Sequence, residues 1–260
     1  MSRFVDRKSD DIEKLRFLNA CEKSSNKTSS IRSGGIGTLR EKTLHSTIKY
    51  FIEPDANKHE VRIGQGIADV LNDEGIFEVQ TRGFDRLRKK LEVFLSEYAV
   101  TVVLPIPATK YLISIDKNTG EMTKPRKSPR RGNIFEAFVE FYRLGELICR
   151  ENLRLLVLLI DMDEYRLAGR CKGNRKGWER FERLPRELKG IVPLYTAEDY
   201  LGILPKELSA EFTSADIARA ANISIDRAGT VLRVLSRLGL VSVVGKKSRY
   251  KLYAITRQSC

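Results

Sequence analysis

The sequence predicts a mixed α/β protein in two parts, a large domain on a mixed sheet and a small C-terminal domain of two helices and a hairpin. Three observations predict it. Residues 38–116 carry apolar patterns in the order helix, three strands, helix, strand, strand. The run "LLVLLI" at residues 155–160 has the length of a buried strand. After residue 206 the pattern changes to two short amphipathic helices followed by alternating strand residues.

The elements follow in order. "DDIEKLRFLNACE" (residues 10–22) reads as a short helix, and the polar "KSSNKTSSIRSGG" as a linker or arm, so residues 1–36 are expected to stand apart. In "TLREKTLHSTIKYFI", Leu44, Ile48, Phe51 and Ile52 form a stripe at helical spacing. "EVRI", "IADVL" and "IFEVQT" read as three strands, the last two joined by "NDEG". In "FDRLRKKLEVFLSEYA", Leu87, Leu91, Phe94 and Leu95 share one side of a helix. That helix can return the chain to a parallel neighbour, "VTVVLPI", with "KYLISID" as a further strand and a turn at "KNTGE". "TKPRKSPRRGN" is a basic loop, "IFEAFVEFYRLGELI" a helix and "LRLLVLLID" a buried strand. Residues 165–190 read as an exposed basic insertion, in which Trp178 anchors the loop or, with Phe181, stacks on a base. The large domain would span residues 37–205 and the small one 206–260.

The 260 residues are 42% hydrophobic, enough for a core, and 47 Lys and Arg against 34 Asp and Glu leave a charge of +13. Such an excess suits a polyanionic partner, although a basic surface alone is an ordinary feature of soluble proteins. No run approaches the ~20 apolar residues of a membrane span, and the N-terminus lacks an apolar leader segment. The four cysteines lie far apart and only two histidines are present, so no zinc site is expected, and the thiols read as reduced in a cytoplasmic protein.

The chemistry begins with polar residues inside buried-looking strands. Glu78 and Gln80 point to one face of their strand, and if "IADVL" pairs beside it, Asp69 lies next to Glu78. Two half-buried carboxylates raise each other's pKa, and a divalent cation between them removes that cost. Mg²⁺, or Mn²⁺ in its place, takes such oxygen ligands with water and phosphate and can assist phosphodiester hydrolysis. The alternative places Asp69 and Glu78 at strand ends, paired with Arg82 or Lys89.

The order of elements, with Glu41 on the first helix, Asp69 on the second strand and "EVQ" on the third, resembles the PD-(D/E)XK superfamily, the restriction-endonuclease-like fold. The resemblance spans residues 38–116. It implies a nuclease with Glu41 as helix acid, Asp69 and Glu78 as metal ligands and the Val79 carbonyl as a third. Gln80 stands where that superfamily usually has lysine, so it would orient water, with Arg82 or Lys89 supplying charge, or else the site is impaired. His45, one turn beyond Glu41, can share its helix face or simply pack.

Residues 207–256 resemble winged helix-turn-helix domains. "SADIARAAN", with Ser214 as N-cap, and "IDRAGTVLRVLSRLGL", ended by Gly239, are the two helices, and "GKKSR" is the tip of the wing. Ile217, Ala221, Val231, Leu232, Leu235 and Leu238 would form the core. Arg227, Thr230, Arg233 and Arg237 would face a DNA groove, with Lys246, Lys247 and Arg249 on the backbone. The expectation is a Mg²⁺-dependent nuclease acting on DNA, with homodimerisation suited to double-strand cutting. Two alternatives remain: a non-enzymatic DNA-binding regulator whose nuclease-like domain is inactive, and a protein-docking winged helix beside an RNA-binding surface.

Overall fold

The computed structural model describes residues 11–31, 43–168 and 177–256. Its centre is a mixed sheet with helices on both faces. The strands are β1 (His59–Ile63), β2 (Gly66–Asn72), β3 (Gly75–Val79), β4 (Val100–Asp116), β5 (Arg126–Lys127), β6 (Leu153–Ala168) and β7 (Trp178–Leu194). Their order is β1-β2-β3-β4-β6-β7, with β5 also on β4. β3, β4 and β6 run parallel, and the other pairs are antiparallel.

One face is covered by α1 (Asp11–Ile31) and α2 (Thr43–Ile52). Leu44, Ile48, Phe51 and Ile52 of α2, the stripe expected from the sequence, are buried against Val70, Phe77, Val79 and Val103. α1 corrects the expected N-terminal arm: it is one 21-residue helix, with Phe17 and Ala20 inside the same core. Phe17 packs edge-on against Phe51 at 5.5 Å, and the Ser24 and Thr47 hydroxyls share a buried 2.7 Å hydrogen bond. Serine and lysine kept the sequence polar past residue 22, but a helix needs only one apolar stripe to dock.

The other face carries α3 (Phe84–Phe94) and α4 (Phe138–Arg143). Leu87, Leu91 and Phe94 are buried there, with Leu95 at the margin. The helix expected across residues 134–148 is broken into α4 and flanking single turns, and Gly145 takes φ +65° at the break.

The two strands expected within residues 100–116 are one 17-residue strand, β4, that runs through Pro105 and Pro107. Its odd-numbered residues turn their backbone polar groups toward β3, as the Gln80 N–H to Val103 carbonyl bond of 2.9 Å shows. β3 ends at Val79, so the missing proline N–H groups fall where no strand asks for them. Residues 165–190 are likewise not a loose insertion. β6 and β7 pair as long antiparallel strands, and residues 169–176 between them lie outside the described residues.

The C-terminal part holds α5 (Ala197–Gly202), β8 (Glu211–Phe212), α6 (Ser214–Ala220), α7 (Ile225–Arg237), β9 (Val241–Lys247) and β10 (Tyr250–Ile255), with a small sheet ordered β8-β10-β9. The N-cap of α6 is Thr213 rather than Ser214, in a reciprocal capping box with Asp216. Gly239 closes α7 at φ +72°. Ile217, Val231, Leu232 and Leu235 are buried, while Ala221 and Leu238 are partly so, in a core continuous with that of α3 and α4. Cys21 and Cys149 are free thiols. Among the described residues no helix is long and apolar enough to cross a membrane.

Candidate active site

β2 and β3 pair at Val70–Phe77, Leu71–Ile76 and Asn72–Gly75, and the ladder stops one step before Asp69 and Glu78. There the carboxylates replace the missing main-chain partners. The Val79 N–H donates to Asp69 Oδ2 at 2.8 Å, and the Asp69 N–H donates to Glu78 Oε1 at 3.3 Å. The strands splay, and each strand's orphaned N–H is satisfied by the other strand's acid. The polar residues expected to sit side by side therefore do so, for a reason of backbone accounting as well as chemistry.

Two further side chains complete the cluster. His45 on α2 places Nε2 3.1 Å from the Val79 carbonyl and 3.2 Å from Asp69 Oδ2. Both neighbours are acceptors, so Nε2 carries the proton and donates to the two of them. Lys90 on α3 places Nζ 2.6 Å from Glu78 Oε2. α3 itself is held from outside: Glu140 Oε2 on α4 accepts from the N–H groups of Gly83 (2.7 Å) and Phe84 (3.1 Å). Gly83 has no side chain to cap the helix, and α4 supplies the missing acceptor.

The two carboxyls are pushed apart in acidity. Burial raises Glu78, the Asp69 charge raises it again, and Lys90 offsets only part of this, leaving it at about 7. Burial also works against Asp69, but the His45 hydrogen bond and charge and the Val79 N–H hold it below the usual carboxylate range. One group is thus a firm carboxylate and the other exchanges its proton near neutrality.

Gln80 turns away from this pair and donates from Nε2 to the Arg82 carbonyl at 2.7 Å. Arg82 and Lys89 are exposed, and the cation beside the acids is Lys90, not either of them. Helical phase carried this signal, since Lys90 falls between Leu87 and Phe94 on the buried side of α3 and Lys89 does not. Glu41 lies outside the described residues.

Among the described residues no group of three or more His, Cys, Asp or Glu side chains is arranged to hold a metal ion. Glu78, buried, and Asp69, partly buried, are the residues that could hold a hard ion keeping most of its ligands as water or phosphate. A softer structural metal needing three or four side chains does not fit.

Of the predicted DNA-facing residues of α7, Arg233 and Arg237 contact Tyr142 of α4, Arg233 while remaining exposed, and Thr230 bonds within α7 to the Asp226 carbonyl. Arg237 Nε pairs with Glu146 Oε1 at 3.1 Å and its NH1 donates to the Tyr142 carbonyl at 3.3 Å. Arg233 lies 5.3 Å over the Tyr142 ring and donates to Thr230 Oγ1 at 2.8 Å, and Arg227 comes within 4.0 Å of Glu136. On the hairpin, Lys246, Lys247 and Arg249 are exposed. Trp178 packs under the Arg166 guanidinium, 3.7 Å from the ring centre, while Phe181 is exposed.

Residues 42–194 match the family model described as Domain of unknown function (DUF8091). The chain is also 30% identical over 226 residues to an uncharacterized protein of Treponema pallidum (strain Nichols), spanning 84% of this chain and 86% of that protein. No solved structure matches. The family match begins at α2, ends with the last residue of β7, and takes in His45, Asp69, Glu78 and Lys90. With its whole central sheet inside that match, the chain belongs to the family described as Domain of unknown function (DUF8091).

Proposed function

We propose that this protein is a Mg²⁺-dependent nuclease acting on DNA, with a restriction-endonuclease-like core and a C-terminal winged helix. One observation carries the reading: Asp69 and Glu78 meet around Val79 where β2 and β3 splay, with Lys90 beside them. The run of α2, β1, β2, β3, α3 and β4 supports the fold, and the hairpin after α6 and α7 supports the second domain. Mg²⁺, when bound, supplies an activated water and charge stabilisation at a phosphodiester. Asp69 and Glu78 offer it their oxygens. Lys90, released from Glu78, is the cation that can face negative charge developing on phosphate. His45 fixes the Asp69 carboxylate through a hydrogen bond. The exposed wing lysines and Arg249 serve the DNA backbone, and the docked α7 contributes less than its sequence implied.

A second reading, a DNA-binding protein without hydrolytic activity, is favoured by Gln80 being tied to the Arg82 carbonyl and by Lys90 already closing an ion pair with Glu78. Calorimetry with Mg²⁺ and Mn²⁺ separates the two, with and without DNA, in wild type and Asp69→Ala/Glu78→Ala. The nuclease reading expects binding that the double variant loses, and DNA cleavage that Lys90→Met abolishes without loss of metal binding. Wild type that binds no metal even with DNA present would refute it.

A further inference from the structure

Beyond the carboxylate pair, the outer half of the sheet carries a concentration of charge that the proposed chemistry does not use. Glu164 on β6 is fully buried, and four cations surround it. Arg166 donates from Nε at 2.9 Å and from NH2 at 2.6 Å to Oε1. Arg183 Nε lies 3.3 Å, and Lys110 Nζ and Arg180 Nε each 3.6 Å, from Oε2. Register explains the grouping. Glu164 pairs across the sheet with Arg183 on β7 and Leu112 on β4, and beyond the Tyr165–Glu182 pair comes Arg166 with Arg180. A shift in register between those two pairs leaves Phe181 over and brings Arg180 onto the face of Arg183. Leu112 in turn pairs with Arg126 on β5, which puts that exposed arginine in the same row.

One carboxylate shared by Lys110, Arg166, Arg180 and Arg183 leaves three positive charges over among them. Arginines placed directly opposite each other in a ladder repel. Arg180 Nε is buried and makes no hydrogen bond. Burial, then the Arg180 charge, pulls Arg183 below the usual guanidinium range, and Lys110 is drawn down by burial and by the same arginines. Glu164 thus holds the cations together without neutralising them. Fixed guanidiniums with unused N–H donors suit the oxygens of a phosphate.

Neighbours of the cluster reach the elements that carry the carboxylate pair. Glu182, next to Arg183, accepts from the Thr43 N–H at 3.2 Å and from the Thr43 hydroxyl at the start of α2, two residues before His45. The charge of Arg82, just past Glu78 and Gln80, is felt at Arg183. We propose that Lys110, Arg166, Arg180 and Arg183 form a phosphate-binding subsite, organised by Glu164, that holds the backbone of a nucleic-acid strand running to the Asp69–Glu78 pair. This rests on the nucleic-acid part of the functional reading above. It requires no hydrolysis.

Lys110 and Arg180 hold Glu164 at the longest distances, so their loss disturbs the fold least. The test compares wild type, Lys110→Gln/Arg180→Gln and Glu164→Gln. Fluorescence anisotropy follows labelled single-stranded and duplex DNA across salt concentrations, and melting temperature serves as the control on folding. Two lost phosphate contacts lower the slope of log K against log salt by ~1.4 for single strands or ~1.8 for duplex. Affinity for the better-bound form falls about tenfold at low salt, and Glu164→Gln, which leaves its cations uncompensated, binds more tightly. A double variant that melts like wild type and keeps its slope and affinity overturns the subsite while leaving DNA binding itself intact. Wild type that binds neither DNA form removes the nucleic-acid reading as well. If such a protein still takes up inorganic phosphate in a manner lost in the double variant, the cluster is an anion site and the polynucleotide assignment is wrong.

Discussion

Replacing Glu78 by glutamine isolates the cost of ionising a carboxyl beside Asp69. Glutamine keeps the shape and can still accept the Asp69 N–H, but it cannot ionise. The wild-type carboxyl is raised from 4.5 to about 7, so the folded chain holds this proton more tightly than the unfolded chain does. Stability from this group is therefore fully present below pH 4.5 and is lost as the pH rises through about 7. The difference amounts to ~3 kcal/mol above neutrality. Loss of the Lys90 partner returns little of it, because Lys90 is 31% exposed and can turn to water, and such pairs contribute only ~0–1 kcal/mol. Glu78→Gln should accordingly be ~2–3 kcal/mol more stable than wild type at pH 8, and the advantage should vanish near pH 4.5. Urea unfolding across that range measures it. Adding Mg²⁺ at pH 8 should stabilise the wild type and not the variant, since ligand that binds only the folded state adds stability. Equal stability of the two proteins at pH 8, or an advantage that grows as pH falls, would refute the electrostatic account of Glu78.

Two other changes test the supports around this site. Glu140→Ala strands the Gly83 and Phe84 N–H groups at the start of α3, and urea unfolding should register a loss of ~2–3 kcal/mol, most of it recovered in Glu140→Gln. Arg237→Ala breaks a pair with an exposed Glu146 and should cost only ~1 kcal/mol. It should leave DNA affinity unchanged, whereas Lys246→Ala/Lys247→Ala should reduce the salt slope for duplex DNA by ~2. The reverse ranking in an anisotropy assay would put α7, not the wing, on the DNA.

What was legible in the sequence follows from what periodicity records. The spacing of Leu44, Ile48, Phe51 and Ile52 and of Leu87, Leu91 and Phe94 marks one side of each helix for burial, and those sides are buried. The alternation in "IADVL" and "IFEVQT" was enough to put Asp69 and Glu78 on adjacent strands, where they bridge the splayed ladder. Periodicity does not say what a buried side will meet. The two strands expected within residues 100–116 are one, and the sequence could not show that β3 stops at Val79 and leaves Pro105 and Pro107 without a neighbour on that side. The polar end of α1 looked like a linker because docking needs only Phe17, Ala20 and a few neighbours.

The charges depended still more on tertiary structure. Nothing in the neighbourhood of residues 164–183 shows that a register shift will gather Arg166, Arg180 and Arg183 around one glutamate, with Lys110 reaching in from another strand. Nor does the amphipathic pattern of α7 reveal that Arg237 will turn to Tyr142 and Glu146. Local sequence determined α2, α3 and the strands β1 to β3 and the faces they bury, because propensity and the hydrophobic effect act residue by residue. Only the packed fold decided which charges meet, because Coulomb energy depends on distance and burial between groups far apart in the chain.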